Sequence, residues 1–445
     1  MQRRIMGLET EYGLSCVRAD GSRAMEAEEA ARLMFKPIVS WARSANVFLA
    51  NAARVYLDVG SHPEYASAEC DDPMQVLAQD RAGDEIMASL VRQANSELDG
   101  AKIHLLKNNV DSAGNSFGSH ENYLVDRRGE FSRLPSLLLP FLITRQIVTG
   151  AGGVIDGKFV FSRRSDHLWE AVSSATTRTR PIINTRDEPH ADESLYRRLH
   201  VISGDSSIAD TSAWLKFAMT SAVLSLIESG RTMRTLAFRE PIVTLRAVAR
   251  DLSAQEPIEL SDGGTVTALD VQQIYLDEVA KNGGDERMLN TWQRALDAVR
   301  SGDHTRVETE LDWAIKEKLF REVAARRGVS YDHPDIARLD LAYHDVVQGI
   351  APALERRGAL RRLLTAQQVQ HAVDNAPATT RAHLRGRFIT AAQQAGIDYQ
   401  ADWKSLRINR AGARAVMLPD PFANEAAAVD DLITQLTDEP ERLMP

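Results

Sequence analysis

The sequence of 445 residues has little cysteine and no excess of basic residues. Its two cysteines, Cys16 and Cys70, form no CxxC pair, which excludes a disulfide scaffold and a cysteine zinc site. The formal net charge is -9, so general binding to nucleic acid or to an anionic membrane is not expected. With 44% hydrophobic and 26% charged residues, the composition is that of a globular protein rather than a disordered or coiled-coil one.

Long apolar segments are also absent. The first residues, MQRRIMGLETEYG, lack the apolar stretch of a signal peptide. The most apolar segment, LPSLLLPFLITRQIVTGAGGV, is interrupted by Pro135, Pro140 and Arg145, and it falls short of the ~20 apolar residues that a membrane span needs. We therefore expect no membrane association and a cytoplasmic location, with which the scarcity of cysteine agrees.

Common nucleotide-binding and hydrolase motifs are missing as well. No GxxxxGK[ST] loop occurs, which excludes a P-loop ATPase. The segment GAGGV at 150–154 follows a predicted helix rather than a strand, so it does not indicate a dinucleotide fold. HExxH and GxSxG do not occur either. A nucleotide would have to be held by carboxylate-bound metal ions and arginines on an open sheet.

The order of the patterns predicts an α+β fold with an antiparallel sheet backed by helices. Strand-like alternation dominates the first half, in RRIMGLETEYGLSCV, ARVYLDVG, KIHLLKNN and HENYLVDR, and a helix is predicted over 23–44. From about Ala213 onward, apolar residues recur at helical spacing. A basic segment with Pro377 predicts a boundary, with a large catalytic domain over 1–375 and a small C-terminal domain over 376–445.

The motif GLETEYG at 7–13 holds the first candidates for chemistry. Because side chains alternate along a strand, Glu9 and Glu11 point to the same face, ~7 Å apart. Carboxylates at that separation repel each other unless water or a cation lies between them. The spacing is compatible with a solvated sheet face and with a pair of oxygen ligands for Mg²⁺.

The segment NAARVYLDVGSHPEYASAEC holds a second set of candidates. Arg54, Tyr56 and Asp58 share one strand face, and an aspartate in an apolar strand is costly unless it is paired or lies in a cleft. A structural Arg54–Asp58 pair is one interpretation. If both segments line one cleft, they fit an ATP site. Glu9 and Glu64 would bind magnesium, Arg54 would neutralise phosphate, and Asp58 would remain free as a base.

Arginines are concentrated in a third region, although the chain is acidic overall. They are Arg164, Arg178, Arg180, Arg186, Arg197 and Arg198. Arginine forks suit phosphate and carboxylate oxygens, so the cluster indicates an anion site, whereas pairing with neighbouring acids explains any single one. Arg164 and Arg186 are candidates for the phosphate side of the site. His200 is a further candidate, with a structural histidine as the alternative.

The motifs together resemble a known family. An antiparallel sheet that carries glutamates for magnesium is similar to the arrangement in the glutamine synthetase-like carboxylate–amine ligases. The longer motifs resemble the Pup ligases of actinobacteria, the proteasome accessory factor A family. These motifs are GLETEYG, RVYLDVGSHPEYASAEC, LKNNVDSAGNSFGSHENYL, VSSATTRTRPIINTRDEPHAD, YRRLHVISGD, TELDWAIKEKL and LDLAYHD. The resemblance runs from Met1 to roughly Phe422 and implies a large glutamine synthetase-like domain followed by a small C-terminal domain.

The resemblance implies an ATP-dependent ligase with two protein substrates. ATP would phosphorylate the γ-carboxylate of the C-terminal glutamate of Pup, a small, acidic, disordered protein. A lysine of a target protein would then attack the γ-glutamyl phosphate and form an isopeptide bond, which marks the target for the bacterial proteasome. ATP and Mg²⁺ are the implied cofactors, and we expect a monomer.

The same resemblance implies roles for individual residues. Magnesium ligands would be Glu9, Tyr56 and Glu64, and Glu11 is an additional candidate on geometry alone. Asp58 would be the proton acceptor. ATP contacts would be Arg54, Ser67 and Trp403, the last from the small C-terminal domain. At Ser67 the family has threonine, and serine keeps the hydroxyl group.

Two other functions are weighed against the ligase. The depupylase, a Pup deamidase of the same fold, typically opens with GTETEYG and carries a long insertion before the strand that bears the aspartate. Here the motif is GLETEYG, and one helix and two strand-like pieces fill 14–56, which favours the ligase. The intact set of Glu9, Asp58 and Glu64 argues against an inactive Pup-binding adaptor.

The acidity of Pup also predicts where it binds. A groove for an acidic, disordered partner is expected to be basic with apolar spots. The arginine cluster described above is one candidate for this groove. The segment RAHLRGRF at 381–388, with Arg381, Arg385 and Arg387, is predicted to be the other.

Overall fold

The computed structural model describes residues 1, 3–57, 62–111, 114–128, 133–175, 179–231 and 233–438. The predicted proton acceptor Asp58 lies outside the described residues, as does Arg178 of the arginine cluster. Among the helices in the described ranges, none combines the length and the apolar composition that crossing a membrane requires.

Strands and helices alternate in the first half, and helices dominate the second. The strands are β1 (Met6–Glu11), β2 (Gly13–Arg18), β3 (Arg23–Met25), β4 (Asn46–Phe48), β5 (Arg54–Leu57), β6 (Pro63–Ala66), β7 (Ala101–Leu106), β8 (Ser119–Asp126), β9 (Gly153–Ile155), β10 (Lys158–Val160), β11 (Glu170–Ser173), β12 (Pro181–Asn184), β13 (Tyr196–Val201), β14 (Ile258–Glu259), β15 (Thr265–Val266), β16 (Tyr399–Ala401), β17 (Ser405–Ile408) and β18 (Val416–Met417). The helices are α1 (Ala27–Ala42), α2 (Pro73–Ser96), α3 (Leu134–Thr144), α4 (Gln146–Thr149), α5 (Asp210–Glu228), α6 (Pro241–Arg250), α7 (Ala268–Lys281), α8 (Glu286–Ser301), α9 (Asp312–Arg327), α10 (Pro334–His344), α11 (Ala351–Arg356), α12 (Ala366–Asp374), α13 (Ala382–Ala395) and α14 (Ala427–Asp438).

The largest sheet has the strand order β11-β12-β13-β8-β1-β6-β5-β4. Its neighbouring strands run antiparallel except for β11 and β12, which run parallel. The α+β prediction is confirmed, and the expectation of an antiparallel sheet is corrected at this edge, where the sheet is mixed. The strand with both glutamates, β1, lies at the centre between β8 and β6.

The two faces of this sheet differ because the side chains alternate. One face packs against helices α2, α3 and α5, and it carries buried residues such as Leu8, Val125 and Leu199. This face belongs to the largest hydrophobic cluster, which extends into the helical half. The opposite face carries the charged candidates, so the apolar core orients them away from the helices.

The helical half follows the sequence patterns closely. The predicted helices ALDVQQIYLDEVAKN and ERMLNTWQRALDAVRSG correspond to α7 and α8. Thr267 and Asp270 form a capping box at the start of α7, and Gly302 ends α8 in the left-handed conformation. The helix predicted over 23–44 begins later, at Ala27, because residues 23–25 pair with β2 as strand β3.

The C-terminal elements have a hydrophobic cluster of their own. Helices α13 and α14 and the sheet β16-β17-β18 enclose Leu384, Phe388, Leu406 and Leu432. Phe48 of β4, at the edge of the main sheet, also belongs to this cluster. The C-terminal elements are therefore packed against the strand edge that leads to the candidate site. The domain boundary at 375/376 stays a prediction.

Candidate active site

Strand register brings the acidic candidates together on the open face of the main sheet. Glu9 of β1 lies opposite His120 of β8. Glu11 lies opposite Glu64 of β6, and Glu64 lies opposite Tyr56 of β5. Because directly opposite residues share a face, these five side chains form one polar surface, with diagonal neighbours such as Glu9 and Glu64 ~7–8 Å apart.

Arg54 of β5 lies opposite Ala66 of β6, and Ala66 lies opposite Glu9 of β1. Arg54 therefore belongs to the same face as Glu9. The Arg54 guanidinium stacks on the ring of Tyr56, with its central carbon 4.8 Å from the ring centroid. Its Nε donates a hydrogen bond of 2.7 Å to Asn46 Oδ1. The arginine is thus held beside the carboxylates by stacking, and a guanidinium in this position can bind an anion.

Three polar side chains surround the carboxylate of Glu9. Asn122 Nδ2 donates to Oε1 at 3.0 Å, His120 Nδ1 lies 3.3 Å from Oε2, and His200 Nε2 lies 3.9 Å from Oε2. One ligand atom from each of Glu9, His120 and His200 lies within 4.8 Å of the others. A carboxylate and two imidazoles at this spacing can hold a divalent ion.

The ionisation of this cluster also suits a cation. Burial raises the pKa of Glu9, but the hydrogen bond with His120 and the positive charge of neighbouring groups such as Arg198 outweigh it, and the pKa is lowered overall. Burial lowers the pKa of His200 to about 3, against the opposing effect of Glu9. The imidazole of His200 is therefore neutral. Its Nε2 is buried and makes no hydrogen bond within the described part of the chain.

Tyr56 and Glu64 form a second part of this surface. The Tyr56 hydroxyl donates a short hydrogen bond to Glu64 Oε1. Burial and the charges of Glu9 and Glu64 raise the pKa of Tyr56 well above its usual value, so the phenol stays protonated. The Glu64 side chain is buried, and an ionised carboxylate in that position needs a donor or a cation.

A cleft opens beside Glu9 and contains other predicted residues. Ser67 and Trp403 line it, although they are far apart in the sequence. The Ser67 hydroxyl accepts from the Leu8 amide at 2.9 Å and donates to the Ala68 carbonyl at 3.1 Å, so backbone groups already engage it.

The cleft also contains residues that the sequence did not single out for it. They are Glu69, Asn122, His190, Arg198 and Arg381. Asn122 and His120 belong to β8 and Arg198 to β13, whereas Glu69, His190 and Arg381 come from the segments that follow β6, follow β12 and precede α13. For His120 and Asn122 a signal existed, since the alternation in HENYL places both on the same strand face. For Glu69 and His190 the sequence carries no such periodic signal.

Arg164 and Arg186 do not line this cleft in the described structure. Arg164 is 2% exposed, and it donates to Ser116 Oγ at 2.5 Å and to the Ile202 carbonyl at 3.3 Å. Burial lowers its pKa to about 10. Arg186 is exposed and pairs with Glu188 at 2.7 Å. Their assignment to the phosphate side stays a prediction. Among the arginines of the cluster that the structure describes, Arg198 reaches the cleft.

The predicted basic groove at 381–388 is wrong. Arg381 and Arg385 are 2% and 0% exposed, and both form ion pairs with the buried Glu69. Arg387 is exposed and pairs with Asp430 at 2.8 Å. Arg381 and Arg385 are internal because α13 packs against the segment that follows β6. Glu69 lies in that segment, and a buried carboxylate requires cationic partners.

The Glu69 cluster predicts a pH dependence of stability. Burial raises the pKa of Glu69, but Arg385 and Arg381 outweigh it and hold the pKa at about 2, below the ordinary 4.5. The contribution of the cluster is therefore present above pH 4.5 and is lost as the pH falls toward 2. Urea unfolding of the wild type and of Glu69→Gln should show a steeper loss of stability in the wild type over this interval. Parallel pH profiles would contradict the assignment.

The fold and the site define a class of protein. An α+β chain that arranges carboxylates, imidazoles and arginines on an open sheet face, beside a cleft, can bind a nucleotide polyphosphate with divalent ions. The sequence profile of the family described as "Pup-ligase protein" matches residues 4–407. The chain belongs to the Pup-ligase family.

Similar proteins cover nearly the whole chain. The Pup–protein ligase of Brachybacterium faecium is 59% identical over 458 aligned residues, which cover 98% of this chain and 97% of that protein. The Pup–protein ligase of Mycobacteroides abscessus is 48% identical, covering 98% of this chain and 100% of that protein.

Two solved structures are similar to the structure of this chain. The complex between the prokaryotic ubiquitin-like protein Pup and its ligase PafA matches with a TM-score of 0.94 and 42% identity, covering 99% of this chain and 92% of that one. The Pup ligase PafA in complex with ADP matches with a TM-score of 0.85 and 42% identity, covering 94% and 95%. The family resemblance stated from the motifs is thereby confirmed.

Proposed function

We propose that this chain is a Pup–protein ligase, which uses ATP to join the C-terminal glutamate side chain of Pup to lysines of target proteins. The observation that carries the proposal is the convergence of Glu9, Glu64, Tyr56 and Arg54 on one sheet face, beside the cleft that Trp403 lines. High identity to proteins named Pup–protein ligase over nearly the full chain supports it.

The donor set fits magnesium at this face. Glu9 and Glu64 supply ionisable oxygens, and Glu11 and the Tyr56 hydroxyl are adjacent to them. His200 Nε2 lies 3.9 Å from Glu9 Oε2, beside these oxygen ligands. Bound magnesium would offset the charge that builds on the transferred phosphoryl group.

The nucleotide is proposed to lie in the cleft beside Glu9. Trp403 offers an aromatic surface to the base, and Arg54 offers a guanidinium to the phosphates. Ser67 lines the same cleft as Trp403. Arg198 adds a cation on the side of β13, and Arg164, Arg186 and His200 remain phosphate-side candidates. That a structure of the ligase PafA contains ADP supports a nucleotide in this cleft.

The chemistry proceeds in two steps. A carboxylate is a poor electrophile, so the γ-carboxylate of the C-terminal glutamate of Pup first attacks ATP and becomes a γ-glutamyl phosphate, with ADP released. The lysine amine of the target then attacks the acyl carbon, phosphate leaves, and an isopeptide bond forms. A lysine is protonated at neutral pH, and Asp58 is proposed to accept its proton.

Partners and cellular context follow from the same proposal. Pup and lysine-bearing proteins are the substrates, and the modification would mark targets for proteasomal degradation in the cytoplasm. We propose a monomer in which residues 376–445 form a small domain that supplies Trp403 to the nucleotide. For Pup, the exposed Arg186 and the half-buried Arg197 remain the candidate basic surface.

The function is tested by incubating the protein with Pup ending in glutamate, ATP, Mg²⁺ and a lysine-bearing acceptor. We expect ADP to form and the acceptor to gain the mass of Pup less one water. Asp58→Asn should abolish acceptor modification, since the attacking lysine loses its base. Asp166→Asn, which removes a carboxylate paired with Arg250 on the surface, is the control and should retain activity.

Other outcomes of this assay identify the alternatives. Ammonia released from Pup ending in glutamine, with no modified acceptor, would identify a deamidase instead. Pup binding without ADP formation would identify an adaptor. The small size of the segment between β1 and β5, filled by β2, β3, α1 and β4, favours the ligase over the deamidase.

A further inference from the structure

A buried carboxylate joins the C-terminal elements to the wall of the cleft. Glu69 follows β6 and is 7% exposed, and its Oε1 accepts from Arg381 Nε at 2.8 Å. Arg385 binds the same carboxylate through both of its Nη groups. Both arginines belong to the start of α13, so Glu69 fixes this helix against the sheet.

Arg385 transmits this contact to Trp403. The central carbon of its guanidinium lies 5.0 Å from the centroid of the Trp403 ring and 5.0 Å from that of Phe48. Its Nη1 also donates to the Trp403 carbonyl at 3.2 Å. A planar guanidinium can stack on rings while it binds a carboxylate in its own plane, so the position of the indole is coupled to the Arg385–Glu69 pair.

The surrounding backbone leaves Arg385 little freedom. Its Nε and Nη2 donate to the Ala52 carbonyl at 3.4 Å and 3.3 Å. A Cβ added at the neighbouring Gly386 would lie 2.6 Å from the Ala50 carbonyl oxygen, so α13 approaches this backbone as closely as glycine permits. Phe48 also contacts Trp403 edge to face, with their ring centroids 4.9 Å apart.

We infer that Glu69 is a positioning residue for nucleotide binding, which holds the Trp403 indole at the cleft through the Arg385 guanidinium. The inference rests on the proposed function, because it assigns Trp403 to the base of the nucleotide. The carboxylate lies at the wall of the cleft with both oxygens bound by arginines, and the inference assigns its effect on the nucleotide to Arg385. A residue of this kind changes nucleotide affinity and KM more than the rate of the chemical steps.

The test compares Glu69→Gln with a matched variant elsewhere. Glu310 is also a buried carboxylate that binds two arginines, Arg294 and Arg361, and it does not line the nucleotide cleft. Since an indole that is no longer held at the cleft stacks less well on the base, we expect the Kd for ADP and the KM for ATP to rise about 10-fold in Glu69→Gln, which corresponds to ~1.4 kcal/mol. In Glu310→Gln the Kd and the KM should stay within about twofold of the wild-type values. Glu69→Gln and Glu310→Gln are both expected to lose stability, because each leaves buried arginines without a charged partner.

A second set of variants separates positioning from loss of folding. Arg385→Lys keeps a positive charge beside Glu69 but removes the planar group that stacks on Trp403, and it should weaken ADP binding similarly. In a protein that already carries Trp403→Ala, adding Glu69→Gln should not weaken ADP binding further, because the indole that Glu69 positions is absent. A ¹⁹F spectrum of fluorotryptophan-labelled protein should show a shifted Trp403 resonance in Glu69→Gln and an unchanged one in Glu310→Gln.

Each result decides the inference. The inference would be overturned if Glu69→Gln and Glu310→Gln had equal affinities for ADP. It would also be overturned if the losses of ADP affinity caused by Glu69→Gln and Trp403→Ala were fully additive. In either case, ligation of Pup by the wild type would leave the proposed function intact. If the wild type ligates Pup but Trp403→Ala binds ADP as tightly as the wild type does, the inference is also overturned. A wild-type protein that binds no ADP would overturn both.

Discussion

Glu9→Gln is expected to lower the rate of ADP formation in the presence of Pup by roughly 100- to 1,000-fold, the usual cost of removing one group that stabilises transition-state charge. Glutamine keeps the size of the side chain and an oxygen that can accept from Asn122. It removes the negative charge beside His120 and His200 at the centre of the sheet. The measurement is the initial rate of ADP release over a range of Mg²⁺ concentrations, and the variant should need more Mg²⁺ for half-maximal rate.

The control for this variant is Glu97→Gln, which neutralises an exposed carboxylate paired with Lys36 and should leave the rate unchanged. Thermal unfolding of both variants checks that they remain folded. If Glu9→Gln kept a rate within about threefold of the wild type and an unchanged Mg²⁺ requirement, Glu9 would not be a magnesium ligand.

Glu121→Gln is expected to cost about 3–5 kcal/mol of unfolding free energy, because it leaves a buried arginine without its charge partner. Glu121 and Arg145 are 0% and 2% exposed, and the guanidinium binds both carboxylate oxygens, at 2.6 Å and 2.8 Å. The Tyr123 hydroxyl donates to the same carboxylate at 2.6 Å. Urea unfolding of the two proteins measures the difference in free energy.

A double variant provides the control for this prediction. Removing both charges, in Glu121→Gln with Arg145→Met, should restore part of the loss, since no ion remains unpaired. A single-variant loss below about 1 kcal/mol would contradict the interpretation of this pair as a buried ion pair. The pair matters to the site because Glu121 lies on β8 between His120 and Asn122, and it anchors the strand from the opposite face.

The alternation of residues along single strands made part of the site predictable. The register places Glu9 and Glu11 on one face of β1, as the spacing in GLETEYG predicts. The same argument places Arg54 and Tyr56 together on β5. Such predictions succeed because they depend on backbone geometry within a few residues, which the chain carries wherever the strand lies.

Contacts between distant segments were not predictable in this way. Arg381 and Arg385 read as surface charges in an acidic chain, yet both are internal because Glu69, more than 300 residues earlier, is buried against them. His120 reaches Glu9 across two strands that are separated by more than 100 residues. Neither partner carries a local pattern that identifies the other.

By itself, the sequence determined the class of fold, the family and the face on which each strand residue lies, because strand and helix periods and long motifs are local properties of the chain. Only the tertiary structure decided which charges meet. Strand order brought β8, β1, β6 and β5 side by side, and the packing of α13 turned two arginines inward and placed Trp403 beside Glu9 in the cleft. The physical reason is that a charge is expensive to bury alone, so its position is set by partners that approach only when the whole chain has folded.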